Sequence, residues 1–175
     1  WCFERDIFVL ADEIYDQLVF DGKPVSTAKW WQKHPEKIAV LNGLSKAFAM
    51  PGWRVGMLAT NSEFISWILK VKTNIDSGTF RALQLAAAQT YDNTEEWHTT
   101  ANIQTYANRR AMAREIMDTL HCSYDTNQVG MFLWGRIPDS YANVEELTER
   151  VLHEARVFIT PGFIFGRNGN NYIRI

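Results

Sequence analysis

The stretch at 41–58, Leu-Asn-Gly-Leu-Ser-Lys-Ala-Phe-Ala-Met-Pro-Gly-Trp-Arg-Val-Gly-Met-Leu, restricts this chain more than any other. It places Lys46 just after a short apolar run at 38–41 that reads as a buried strand. Eight positions on comes Arg54, between Gly52 and Gly56. Pro51 before Gly52 makes the backbone there a turn rather than a helix. A lysine in a loop is ordinarily a solvated surface charge, or a side chain whose head snorkels to water. Lys46 is instead hemmed in by Gly43, Leu44, Ala47, Phe48, Ala49 and Met50. Apolar surroundings disfavour an ammonium, and a less protonated amine is what Schiff-base chemistry with an aldehyde needs. Arg54 stays charged at any working pH, and a guanidinium suits a phosphate.

A second run leads to the same place. Residues 6–11 are continuously apolar after Asp6 and read as a strand buried on both faces, ending in Asp-Glu-Ile-Tyr at 12–15. In open α/β sheets ligands bind at the carboxyl ends of strands, where Asp12 sits. Taken alone, Asp12 reads first as a turn or helix-capping aspartate, and Lys46 beside it reverses that balance.

The run Gly43-Leu-Ser-Lys-x-x-Ala-Met-x-Gly-x-Arg-Val-Gly56 resembles the pyridoxal-phosphate attachment signature of the class I/II aminotransferases, the fold type I superfamily. Small residues, lysine and arginine fall in the order that signature demands, and the likeness extends over essentially the whole chain as the C-terminal half of such an enzyme. The resemblance implies the following roles. Lys46 holds the cofactor, pyridoxal 5′-phosphate, as a Schiff base and shuttles the proton between substrate carbon and cofactor. Arg54 binds the cofactor phosphate, and Ser45 is a further cofactor contact. Asp12 pairs with the pyridinium nitrogen, which makes the ring an electron sink, and Tyr15 hydrogen-bonds the ring oxygen. The serine often found in the family three positions before the lysine is Gly43 here, which removes one possible phosphate hydroxyl.

The remaining chain reads as alternating elements. Residues 17–20 are a short extended piece, Asp21-Gly22 a turn, and 29–36 a polar connection in which His34 is a surface loop residue. Residues 55–59 form a third strand. Asn61-Ser62 caps an amphipathic helix over 63–72. The polar segment 72–78 reads as a loop; its wording resembles diaminopimelate-type aminotransferases, whose corresponding loop reaches the partner subunit's site, so Asn74, Asp76 and Ser77 become candidates. Residues 81–91 are an alanine-rich helix, and 94–120 one long helix with Ile103, Tyr106, Ala107, Arg110, Ala113, Ile116, Met117 and Leu120 at helical spacing. The arginines within 108–114 read as a solvated face. Strands follow at 122–124, 130–136 and 157–160, with a helix at 144–154 and a glycine-punctuated loop at 161–169.

The last strand is 172–175, where Arg174 alternates with Ile173 and Ile175. On spacing alone it is a solvent-facing strand residue. The resemblance makes it the arginine that holds the substrate α-carboxylate, by a fork that matches a carboxylate in bidentate fashion.

The fold expected is α/β: part of a mostly parallel, three-layer large domain at 1–100, then a small α+β C-terminal domain at 101–175. Both ends read as cut, so the 175 residues are expected to be part of a longer polypeptide. The function implied is amino-group transfer between an amino acid and a 2-oxo acid in a homodimer with shared active sites. Two rivals remain: a C–S β-lyase on the same scaffold, and a non-catalytic fragment, since other cofactor contacts of the family lie upstream. The net charge of −2 makes no electrostatic case for nucleic acid or an anionic membrane. The scattered histidines His34, His98, His121 and His153 share no metal spacing. Two cysteines make no disulfide framework and suggest a reducing, cytoplasmic location.

Overall fold

A computed structural model of the chain describes residues 1–20, 25–98 and 103–175. The described residues fall into two compact units, 1–103 and 104–175. The expected boundary at 100/101 and the Asp21-Gly22 turn lie outside the described residues. Each unit is a mixed α/β assembly with its own sheet.

In the first unit, β1 (Val9–Asp12), β2 (Ile38–Gly43) and β3 (Gly56–Ala59) form a three-stranded sheet in that order. β1 and β2 pair in parallel with Asp12 opposite Leu41, and β3 returns antiparallel with Gly56 opposite Gly43. The central strand carries the apolar run, so Ile38 and Ala39 are fully buried. β1 is not buried on both faces as its composition suggested: it is an edge strand, and Leu10 is 60% exposed. Residues 17–20 are not extended; the chain turns at 14–17 and buries Leu18 completely.

β2 runs directly into α1 (Leu44–Ala47), so Lys46 stands on one helical turn rather than in a loop. Leu44, Ala47 and Phe48 pack with Ala87 in a small core, flanked by Met50, Val55 and Tyr91. Asn61 caps α2 (Ser62–Ile75) as expected, its side chain accepting from the Phe64 amide at 2.9 Å. The helix continues to Ile75, so Asn74 is helical, and its side chain donates to the Lys70 carbonyl at 2.6 Å. No residue of α2 is buried, and its apolar stripe, including Trp67, Val71 and Ile75, is exposed. α3 (Arg81–Asp92) and the short α4 (Thr94–Trp97) complete the unit. The expected long helix is described as α4 and α5 (Ile103–Thr119), with 99–102 outside the described residues.

In the second unit, β4 (Ser123–Tyr124), β5 (Trp134–Arg136), β6 (Thr160–Pro161) and β7 (Tyr172–Arg174) form an antiparallel sheet in the order β4-β5-β7-β6. The strands are shorter than the apolar runs suggested, because turns take up the flanking residues; Gly130, for example, adopts φ +87°. α6 (Val144–Ala155), capped by Asn143, and α5 bury Met117, Val144 and Leu147 with Leu133, Ile159 and Ile173. Ile116 faces out, and Arg114 is no solvated charge: it donates to the Thr126 carbonyl at 2.6 Å. Among the described residues no helix is long and apolar enough to cross a membrane.

Candidate active site around Lys46

Parallel pairing of β1 with β2 brings their carboxyl ends to one edge of the sheet. Asp12 ends β1, and Lys46 stands one helical turn beyond the end of β2. The antiparallel β3 begins at the same edge, so Arg54, two residues before Gly56, joins them. The Val55 carbonyl accepts the Leu44 amide at 3.3 Å and ties the start of the lysine turn to the segment carrying Arg54. Gly43 has to be a glycine here. A Cβ on it would lie 2.9 Å from the Val55 carbonyl oxygen and 3.1 Å from Ile14 Cδ1. The backbones therefore approach more closely than any side chain permits.

Among the described residues the charged groups at this edge form no ion pairs. Lys46 is half-buried, with its Nζ 5.9 Å from the Tyr15 ring centroid, and forms no hydrogen bond or ion pair among the described residues. Arg54 is exposed and spends one donor, on the Pro51 carbonyl at 2.9 Å. Its backbone sits at φ 55°, as Ala49 sits at φ 52°, in the left-handed region that costs a residue with a Cβ about 1–2 kcal/mol. Among the described residues Asp12 accepts the Ile14 amide alone, at 3.3 Å. Ser45, in the same turn as Lys46, is half-buried. Two cations and one carboxylate, none in an ion pair among the described residues, thus stand at the ends of three converging chain segments. That donor set fits pyridoxal phosphate: an amine for its aldehyde, a guanidinium for its phosphate and a carboxylate for its ring nitrogen.

The supporting residues were not visible in the sequence. Glu13, next to Asp12, accepts from Ser26 Oγ, Thr27 Oγ1 and the Thr27 amide, each at 2.6 Å. Partial burial pushes its carboxyl up, but these hydrogen bonds outweigh burial and hold it below the ordinary glutamate value. Asn42 accepts the Gly43 amide at 2.6 Å and donates to Asp16 at 3.1 Å. The Trp97 indole donates to the Ala47 carbonyl at 3.1 Å, from fifty residues away, and closes the lysine turn. Nothing local marks Trp97 or Asn42 for these roles. Glu13 and the Ser-Thr pair at 26–27 were legible only as ordinary polar residues.

Of the remaining candidates, Asp76 pairs with Lys72 at 2.7 Å and accepts the Gly78 amide at 2.8 Å. The Lys72 hydrogen bond, then the Gly78 amide, hold its carboxyl below the usual value. These contacts close the end of α2 and leave Asn74, Asp76 and Ser77 at an exposed surface. Arg174 belongs to the second unit, on β7 opposite Trp134. Ile173 faces the core, and Arg174 lies on the other face with its guanidinium 4.3 Å and 4.1 Å from the ring centroids of Phe132 and Phe165. Among the described residues no three His, Cys, Asp or Glu side chains are grouped to hold a metal.

Known proteins resemble this chain in sequence and in fold. The LL-diaminopimelate aminotransferase 2 of Trichormus variabilis is 32% identical over 177 residues, covering 100% of this chain and 44% of the relative. The (5-formylfuran-3-yl)methyl phosphate transaminase of Methanocaldococcus jannaschii is 31% identical over 175 residues, with 100% and 46% covered. A solved Methanococcus jannaschii protein, described as similar in its active site to kynurenine aminotransferases, superposes with a TM-score of 0.87 at 30% identity over 99% of this chain and 46% of its own. The aromatic aminotransferase of Pyrococcus horikoshii superposes with a TM-score of 0.84 at 28% identity, covering 99% and 47%. The chain spans somewhat less than half the length of these proteins, and the family model for aminotransferase class I and II matches residues 2–175. The chain belongs to the class I and II aminotransferases.

Proposed function

We propose that the protein to which this chain belongs is an aminotransferase that moves an amino group between an amino acid and a 2-oxo acid, and that this chain supplies its cofactor-bearing lysine. The observation that carries the reading is the gathering of Lys46, Asp12 and Arg54 at one sheet edge, none of them in an ion pair among the described residues. The first unit is read as the remainder of the large cofactor-binding domain and the second as the small C-terminal domain.

Pyridoxal phosphate, the family's cofactor, supplies an aldehyde that condenses with amino groups and a ring that delocalises negative charge from the substrate α-carbon. The residues of this chain then take separate roles. The Lys46 amine would anchor the cofactor and would serve as the base that moves the proton at the substrate α-carbon. The Asp12 carboxylate holds a proton on the ring nitrogen. Tyr15 hydrogen-bonds the ring oxygen, while Ser45 and Arg54 bind phosphate. Arg174 orients the substrate by its α-carboxylate, which every amino acid and 2-oxo acid shares. A homodimer with shared sites is read from the family likeness, and a cytoplasmic setting from the free thiols Cys2 and Cys122. LL-diaminopimelate is the first donor to try, because several relatives at about 30% identity carry that name.

Two measurements on the full-length protein test the reading. Amino donors, LL-diaminopimelate among them, are assayed against 2-oxoglutarate and pyruvate, and transfer to either acceptor is expected. Pyruvate and ammonia released from a sulfur amino acid without an acceptor would instead mark the β-lyase. Borohydride reduction of the holoenzyme with peptide mapping is expected to label Lys46. A label on Lys70 or Lys72 would overturn the site.

A further inference from the structure

Arg174 is held in an unusual way for a charged side chain in a small sheet. Among the described residues it has no carboxylate in an ion pair and donates no hydrogen bond. Its guanidinium lies instead against two phenyl rings, Phe132 at 4.3 Å and Phe165 at 4.1 Å from the centroids. A ring face attracts the cation through its quadrupole and takes up none of the N–H donors in conventional hydrogen bonds. A neighbouring Asp or Glu would stabilise the same cation by occupying the donors a ligand needs.

The surrounding backbone is built to keep Phe165 in place. Trp134 is directly opposite Arg174 across β5 and β7, so both side chains stand on one face of the sheet. Trp134 stacks on Tyr172 at 5.2 Å and 13° and meets the edge of Phe165 at 5.8 Å and 69°. Phe165 sits in a 3-10 turn, Gly162–Phe165, pressed against the sheet. A Cβ on Gly162 would come within 2.5 Å of the Gly169 carbonyl oxygen and 2.6 Å of that of Tyr172. Gly166, which ends the turn, has φ +121°, a conformation that favours glycine. The glycines of the 161–169 loop therefore bring Phe165 to the guanidinium.

We propose that Phe132 and Phe165 are positioning residues: an aromatic clamp that fixes the Arg174 guanidinium and leaves its N–H fork open for a carboxylate. The proposal rests on the reading of Arg174 as the carboxylate-binding arginine. The clamp replaces the ion pair that would otherwise compete with substrate, and it restricts the rotamers of a flexible side chain before the ligand arrives.

The test uses the full-length, cofactor-loaded protein and two carboxylates that carry no amino group, 3-phenylpropionate and glutarate, with dissociation constants measured by calorimetry. Phe132→Leu and Phe165→Leu are each expected to weaken binding about tenfold, the scale of one cation–π contact. Phe132→Tyr and Phe165→Tyr, which keep the ring, should bind within about twofold of the parent. Cofactor content and the visible spectrum should not change in any of them. Phe132→Met and Phe165→Met, which fill the space without a ring, decide the point if a Leu variant fails to fold. Arg174→Ala run in parallel separates the two claims. If it leaves both dissociation constants unchanged, the carboxylate reading fails and the clamp with it. If it abolishes binding while the ringless variants bind like the parent, or if the Tyr variants are as weak as the Leu variants, the clamp alone is wrong.

Discussion

Gly43 gives the most direct test of how the lysine turn is held. A Cβ added there would sit 2.9 Å from the Val55 carbonyl oxygen, 3.1 Å from Ile14 Cδ1 and 3.3 Å from Gly56 Cα. Ile14 can rotate away, but the other two atoms are backbone. Relief requires the start of β3 to move off the end of β2, where Gly43 and Gly56 face each other. Overpacking of this kind costs about 1–3 kcal/mol. The displacement also weakens the Leu44 amide bond to Val55, now 3.3 Å, which is worth about 1 kcal/mol. Gly43→Ala should therefore destabilise the protein by about 2–4 kcal/mol. Because the moving segment joins Lys46 to Arg54, affinity for pyridoxal phosphate should fall as well, by about tenfold or more for a displaced charge-assisted contact. Urea unfolding of the full-length protein, followed by tryptophan fluorescence, measures the first effect. Cofactor titration of the apoenzyme measures the second. Gly43→Ser carries the same Cβ and should be equally destabilised, even though serine is frequent at this position in the family. A Gly43→Ala protein within 0.5 kcal/mol of the parent, a margin typical of surface substitutions, and with parental cofactor affinity would refute the close-approach argument.

Two further outcomes are expected. The Glu13 carboxyl is held below its ordinary value in the folded protein, so its contribution to stability is complete above the ordinary glutamate pKa and is lost as pH falls through the lowered one. Glu13→Gln should remove that part of the acid dependence and cost about 1–2 kcal/mol at neutral pH; equal losses of stability on acidification in mutant and parent would contradict it. Asp12→Asn keeps the shape of the side chain and removes its charge, so it should leave folding intact and lower kcat about 100-fold or more in the aminotransfer assay. Near-normal turnover at full cofactor occupancy would show that Asp12 is only the turn residue its Ile14 hydrogen bond makes it.

Local patterns carried a good part of this protein. The order of small residues around Lys46 and Arg54 marked the segment that resembles the family's cofactor-attachment signature. The asparagine before α2 caps the helix that follows, because capping is settled within four residues. The apolar run at 38–41 became the buried central strand, because both faces of that strand are covered. The run at 6–11 read the same way; in this chain, which spans less than half the length of its relatives, it lies at the edge of the three-stranded sheet with Leu10 exposed.

What only the tertiary structure decided is how distant segments meet. The parallel register that sets Asp12 opposite Leu41 places two chemically complementary groups at one sheet edge, and no spacing in the sequence encodes a register. Whether Gly43 is a tolerated variant or a necessity depends on how near Val55 comes. The Trp97 indole reaches the lysine turn across fifty residues, and Glu13 finds its partners in a segment that follows a turn. Arg174 reads as a solvated strand residue until Phe132 and Phe165 are seen against it. The physical reason is common to all of these. Backbone propensity and hydrophobic period act over a few residues and show in the sequence, whereas close approach, cross-strand pairing and ring contacts are fixed by the packing of the whole unit.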